Sequence, residues 1–309
     1  MSIAVVGSLG LDTIHTPAGR VEEVLGGSAA YFSLAARHFL PVALVAVVGE
    51  DFPPEARRAL ELPDVDLSGL EVRSGRTFRW EGIYSADMQS RETIRTELNV
   101  FEEFRPRLDD KVRKLPNVFL ANIDPDLQSD VLSQFTRPRL VLCDTMNYWI
   151  HHKREELLSI LRRVQILIIN EEEARELTGE WATHKAARAI LALGPEMVVV
   201  KEGEHGAFLQ TDGFHFLCPA VPLEHIIDPT GAGDTFAGGF VGALARMGRV
   251  TERNLRAAVV FGCVLASFTV EGFGVVGLLR AERAEMLRRA RGLLSMTQFT
   301  LDDTSRILR

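Results

Sequence analysis

Residues 226–246 read I-I-D-P-T-G-A-G-D-T-F-A-G-G-F-V-G-A-L-A-R. Asp228-Pro229 closes a strand-like run. Thr230 to Asp234 then supply small residues and a carboxylate, and a helical pattern follows from Thr235 to about Met247. Glycines let a backbone approach an anion closely with its N–H groups turned toward it, and a helix N-terminus adds roughly half a positive charge. Asp234 stands at that terminus, placed to accept a proton from an attacking hydroxyl. Gly238, Gly239 and Gly242 lie within the helix. Each costs about 1 kcal/mol against alanine, so close packing or close approach to a ligand has to offset roughly 3 kcal/mol. A plain glycine turn capped by Asp234 explains the cap, but not a nest, a carboxylate and a small-residue helix in one run.

Upstream, short apolar runs recur at Ile3–Val6, Val42–Val48, Val118–Ala121, Leu140–Cys143, Ile166–Ile169 and Met197–Val200. Their apolar residues run together without alternating, the pattern of strands buried on both faces. Helical patterns at Ser28–Phe39, Lys153–Val164, Thr183–Leu193 and Glu252–Phe268 lie between or after them. Strand alternating with helix predicts an α/β fold with a mainly parallel central sheet covered on both sides. Residues 72–105 break the rhythm: Thr77–Ser85 and Glu92–Phe101 have partial period-two character around a polar turn. With one or two strands from Thr13–Val24, they predict a small β lid, segments 12–25 and 72–105, over a single body. Residues 293–309 are more polar and read as a docked helix or a tail.

The chain has 309 residues, 46% hydrophobic and 25% charged, the mix of a globular protein, and a net charge of −7. No broad basic surface is implied, which argues against a nucleic-acid partner. Three scattered cysteines argue against a disulfide scaffold and a structural zinc site. The start, MSIAVVGSLGLD, lacks a basic, long-apolar leader, and no 18-residue apolar run occurs. The expectation is a cytoplasmic protein with no membrane partner.

Asp228-Pro229-Thr230-Gly231-Ala232-Gly233-Asp234 resembles the C-terminal signature of the PfkB, or ribokinase-like, carbohydrate kinases. Gly26-Gly27-Ser28-Ala29-Ala30 resembles the family's N-terminal glycine motif, and Val48-Gly49-Glu50-Asp51-Phe52 its V-G-x-D-x-F. Asn170-Glu171-Glu172-Glu173 matches its N-x-x-E, and Gly203 with Gly206 its G-x-x-G. The resemblance covers residues 3–290 and implies a three-layer, Rossmann-like α/β/α body, a β lid and ATP-dependent phosphorylation of a hydroxyl. It implies Asp234 as the base and the backbone of Gly231, Ala232, Gly233 and Asp234 as an anion hole. Asn170 and Glu173 would place Mg²⁺ through water, as Mg²⁺ keeps several waters; Asn and the glutamates also suit a helix start. Lys201, Gly203, Gly206, Asn170 and Gly274 fall on the nucleotide side, the glycines 203 and 206 equally serving a β-turn; Lys201 stands where the family often has a small hydroxylated residue, and it reaches a phosphate as a point charge or is merely solvated. Asp228 marks where some members take a monovalent cation, K⁺.

On the acceptor side the resemblance implies Asp12, Gly26 and Gly27, the glycines pressing against a sugar. Members commonly place an asparagine about four residues after the glycine pair; here Tyr31 stands instead. It stacks on a ring, donates a hydrogen bond or packs as wall. Asn99 and Asn147 sit at element ends and suit hydroxyls, while Arg79, Arg91 and Arg95 meet an acceptor phosphate or form a solvated strand face. The favoured acceptor is a sugar or sugar-like hydroxyl; a nucleoside is the second reading, and aromatic residues near the lid suit it. Phe78, Trp80 and Ile83 give the lid an apolar face through which two copies would pair as a homodimer. Rival classes fare worse. Gly26-x-Ser28-x-Ala30 lacks the strand and histidine of a hydrolase elbow, Ile3–Gly10 lacks G-x-G-x-x-G, and a relative without chemistry has no reason to keep Asp234 beside its glycine nest.

Overall fold

The computed structural model describes residues 2–298. One sheet has nine strands: β1 Ile3–Val6, β4 Val42–Gly49, β5 Val65–Arg73, β8 Asn117–Leu120, β9 Leu140–Asp144, β10 Ile166–Asn170, β11 Met197–Lys201, β12 Ala207–Thr211 and β13 His215–Cys218. Their order is β13-β12-β11-β10-β9-β8-β1-β4-β5. The pairs from β11 to β5 are parallel, and β12 and β13 each join antiparallel to the preceding strand.

The apolar runs form these strands because both faces are covered. On one side Leu142, Ile166, Ile168 and Val199 join a core with helices Ser28–Ala36, Ala232–Met247 and Glu252–Thr269. On the other, Val141, Leu167, Ile169 and Val200 pack with helices Pro125–Gln134, Arg154–Leu161 and Thr183–Leu191. This is the expected three-layer α/β/α architecture. Strands β5 and β13 carry too many exposed residues to read as buried runs. β5 pairs on one side only, with β4, and β13 only with β12.

The helix glycines are explained by packing. A Cβ on Gly238 would stand 2.4 Å from the carbonyl oxygen of Phe32, one on Gly242 2.7 Å from the Phe39 ring, and one on Gly239 2.7 Å from the carbonyl oxygen of Phe261. Helix Ala232–Met247 therefore sits backbone to backbone between two neighbours, and the dispersion gained there offsets the poor propensity of glycine.

The second sheet has four strands in the order β3-β2-β6-β7: β2 Gly10–Thr16, β3 Gly19–Gly26, β6 Phe78–Tyr84 and β7 Arg91–Glu97. The expected lid is thus present, with one correction. The strand anticipated over Glu92–Phe101 ends at Glu97; Asn99, at φ 51°, turns the chain into a 3₁₀ turn over Asn99–Phe101. Two of the lid residues expected on an apolar outer face are partly sequestered: Phe78 packs on Phe101 at 5.7 Å, and Trp80 fills the space beside Gly82. Ile83 is exposed.

Asp51 anchors the lid. Its Oδ1 accepts from the Thr77 N–H and hydroxyl, each at 2.7 Å, and its Oδ2 pairs with Arg79 at 2.8 Å. Arg79 also donates to Glu23 and is buried, so it belongs to this anchor and not to a solvated strand face. Helix Arg283–Thr297 docks through Met286 and Leu293; of the segment 293–309, read as a docked helix or a tail, residues 299–309 lie outside the described residues.

Candidate active site

The carboxyl ends of the parallel strands lie along one edge of the sheet, and strands leave β1 in both directions; this is the position at which open α/β sheets bind ligands. Three strands end on a polar residue just past an apolar run: β9 on Asp144, β10 on Asn170 and β11 on Lys201. Register pairs Asp144 with Ile168 and Lys201 with Asn170, so all three project from one face, toward helix Ala232–Met247.

Gly231 caps that helix at φ 74°, the left-handed region open to glycine. A Cβ there would fall 2.4 Å from the Tyr31 ring, so the ring lies flat against the turn. The helix starts at Ala232, three residues before the expected Thr235. The Ala232 N–H donates to the Pro229 carbonyl at 3.2 Å. Among the described residues the N–H groups of Gly231, Gly233 and Asp234 have no backbone partner, and that of Asp234 faces its own carboxylate. Asp234 sits in the first turn. Burial and the Asp144 charge push its carboxyl up to about 7, with Lys201 and Arg91 opposing.

Asp12, on β2, is 4% exposed. Burial, then Asp228 and Asp234, raise its carboxyl to about 8. A Cβ on Gly26 would stand 1.9 Å from the Asp12 carboxylate, and one on Gly27 2.5 Å from the Ser8 carbonyl oxygen. Gly26 makes room for Asp12, and Gly27 for the backbone of Ser8 and Leu9. Tyr31 is 1% exposed, and its buried hydroxyl has no hydrogen-bond partner among the described residues.

On the other side, Asn170 and Glu173 form a reciprocal cap: Asn170 Oδ1 accepts from the Glu173 N–H at 2.8 Å, and Glu173 Oε2 accepts from the Asn170 N–H at 3.0 Å. Burial raises the Glu173 carboxyl. Among the described residues no three His, Cys, Asp or Glu side chains stand close enough to hold a metal. The donor set therefore fits Mg²⁺ only as a phosphate-borne, water-shelled ion beside Glu173, whose second oxygen is outside the cap.

Gly203 (φ 55°) and Gly206 (φ 100°) shape the turn after β11, and a Cβ on Gly206 would meet the Cys218 carbonyl oxygen at 2.0 Å. Asp228 is fully buried. Its two oxygens accept from the N–H groups of Thr230 at 2.8 Å and Gly274 at 2.9 Å. Gly274 thus braces the glycine turn through its N–H.

Two expected acceptor residues separate. Asn147 opens the short helix after β9, close to Asp144 in the chain. Asn99 donates its amide to the Thr77 carbonyl at 3.0 Å and stays at the lid's foot. The lid reaches the site through Tyr84, whose hydroxyl accepts from Thr230 at 3.0 Å, and through Arg91, its cross-strand partner. The lid tip reaches the nucleotide-side turn where Gln89 donates to Glu204 at 3.0 Å.

A model of the pfkB family of carbohydrate kinases matches residues 2–281. The chain belongs to this family. It is 33% identical over 268 residues to a cytidine kinase of Thermococcus kodakarensis, 83% of this chain and 92% of that protein. Its fold is that of the Methanocaldococcus jannaschii nucleoside kinase (TM-score 0.75, 21% identity, 94% of this chain and 98% of that one). A putative ribokinase II from E. coli, solved in complex with ATP and Mg²⁺, is similar at a TM-score of 0.76 and 17% identity, over 94% and 99%.

As a pfkB-family protein, the chain is a phosphotransferase with a hydroxyl acceptor, of the ATP-dependent sugar and nucleoside kinases. Sequence reading passed over Asp144. Its signal was present: a carboxylate ending an apolar strand, as Asn170 and Lys201 end theirs. Among the described residues no helix is long and apolar enough to cross a membrane.

Proposed function

We propose that the protein transfers the γ-phosphoryl group of ATP to a hydroxyl of a nucleoside. The observation that carries the transfer is Asp234 in the first turn of the helix, with three N–H groups of residues 231–234 lacking a backbone partner beside it. Asp234 takes the proton from the acceptor hydroxyl as that oxygen bonds to the γ-phosphorus. The bond from phosphorus to the β–γ bridging oxygen breaks, and ADP leaves with that oxygen. The free N–H groups face the charge that spreads over the phosphoryl oxygens; losing one such donor typically costs about 3 kcal/mol. Mg²⁺ supplies charge neutralisation on the polyphosphate. Glu173, seated by its cap with Asn170, is the residue that would orient its waters. Lys201, Gly203 and Gly206 line the nucleotide side.

Asp12 and Tyr31 hold the acceptor. Asp12 is a buried carboxylate with no side-chain hydrogen bond among the described residues, and Tyr31 has a buried hydroxyl without a partner. A bound polyol satisfies both groups. The near-full-length likeness to a cytidine kinase supports a nucleoside over a free sugar.

The test is ADP release with Mg-ATP across nucleosides, free sugars, cyclitols and sugar phosphates, with and without K⁺, beside Asp234→Asn. Activity greatest on a nucleoside and reduced 10²-fold or more in the variant, the range for loss of a general base, is expected. A free sugar as best acceptor overturns the nucleoside assignment, and an active Asp234→Asn protein overturns the base.

A further inference from the structure

Lys201 ends β11, and its side chain crosses in front of β10 to reach Asp144 on β9, Nζ to Oδ2 at 3.2 Å. Both side chains are enclosed, 16% and 5% exposed. Burial alone pulls the ammonium toward neutrality, but the carboxylates of Asp144, Glu173 and Asp234 outweigh it and hold Lys201 charged. The ammonium lies directly against the anion nest: a Cβ on Gly233 would stand 3.0 Å from Nζ. An ammonium has three N–H donors, and among the described residues Asp144 is its one side-chain hydrogen-bond partner. A buried cation with unused donors thus adjoins free backbone N–H groups at a helix start, and this convergence fits one ligand chemistry, a phosphate.

We propose that Lys201 is a catalytic residue gripping the terminal phosphates of the nucleotide, and that Asp144 is its positioning residue. The assignment rests on the kinase reading above. Lys201 supplies from the protein part of the positive charge that the transferring group requires, and it reaches the phosphates from the sheet side while the nest reaches them from the helix side. Asp144 fixes the ammonium at the end of a long, flexible stem, which otherwise has considerable rotamer freedom to lose. Lys201 also faces Asp234, so one cation serves both the phosphoryl group and the base.

Calorimetric titration separates this from a merely structural ion pair. ADP and adenosine are titrated in EDTA, without metal, into the wild type, Lys201→Met and the double variant Asp144→Asn/Lys201→Met. The double variant removes both charges and keeps a folded comparison if the single variant is damaged. Expected is a loss of at least about tenfold in ADP affinity in both variants with adenosine affinity unchanged, the size of one lost charge-assisted contact. Asp144→Asn alone should lower kcat and leave adenosine binding intact. Equal ADP affinity in wild type and variants overturns the proposal. So does a parallel loss of adenosine, which marks a structural effect. A wild type that binds neither compound in EDTA, nor Mg-ADP when Mg²⁺ is restored, overturns the kinase reading as well, and is thereby distinguishable from failure of Lys201 alone.

Discussion

At the residue scale, environment decides what each carboxylate does. Asp234 and Asp12 are the same residue type as Asp51, yet burial and neighbouring carboxylates raise the first two to about 7 and about 8. Thr77 and Arg79 outweigh the burial of Asp51 and hold it below its ordinary value. A base titrating near 7 is ionised above that pH, so kcat/KM of the free enzyme should rise through about pH 7 to a plateau. Lys201 is among the charges that hold Asp234 down, so Lys201→Met should move this limb to higher pH. A pH–rate profile in each protein checks this; a limb left unmoved would count against the coupling. The identity of Asp234 was legible from its place after the glycines. Its altered acidity was not, because Asp144 lies ninety positions away in the chain.

At the scale of elements, the glycines divide by purpose. Gly231 is required by backbone conformation, and Gly238, Gly239 and Gly242 by helix contact. Gly238→Ala adds a methyl 2.4 Å from a backbone oxygen that cannot swing aside. Overpacking of 1–3 kcal/mol exceeds the gain of about 1 kcal/mol in helix propensity, so the variant should be less stable. Gly292→Ala meets nothing within 4 Å in helix Arg283–Thr297 and should be stabilised by up to about 1 kcal/mol. Denaturant unfolding of both variants tests the contrast; equal shifts in the same direction would refute it. Sequence left the choice between packing and ligand open for these glycines. The choice depends on Phe32, Phe39 and Phe261, which approach only in the folded state.

At the scale of the whole molecule, the fold gathers Asp12, Asp144, Glu173, Asp228 and Asp234 around one cleft, and burial raises each of them. A carboxyl raised on folding favours the native state fully below its unfolded value near 4, and that contribution is lost as pH rises through the folded value. Half-buried His38, lowered to about 4, works the other way below pH 6.5 and is neutral in both states above it. The protein without ligands should therefore lose thermal stability between pH 6.5 and 8.5, and Asp12→Asn should flatten the decline. Thermal midpoints across that window measure it; a flat or rising wild-type curve would contradict the assigned burial. Mg-ATP, itself anionic, should raise the midpoint least at the alkaline end, where the site carries most negative charge.

The sequence by itself determined the layered α/β body, the lid and the place of Asp234 at a helix start, because these depend on local periodicity and on a contiguous run of seven residues, 228–234. Apolar runs name buried strands, and glycine beside Asp names a helix-terminal nest, without reference to distant parts of the chain. Only the tertiary structure decided that Gly26 makes room for Asp12, that Arg79 anchors the lid, that Asn99 and Gly274 brace backbone, and that Lys201 meets Asp144 across an intervening strand. Each of these depends on strand order and register, which bring together residues far apart in the chain and set how much water remains between them. Periodicity along one segment carries no information about either.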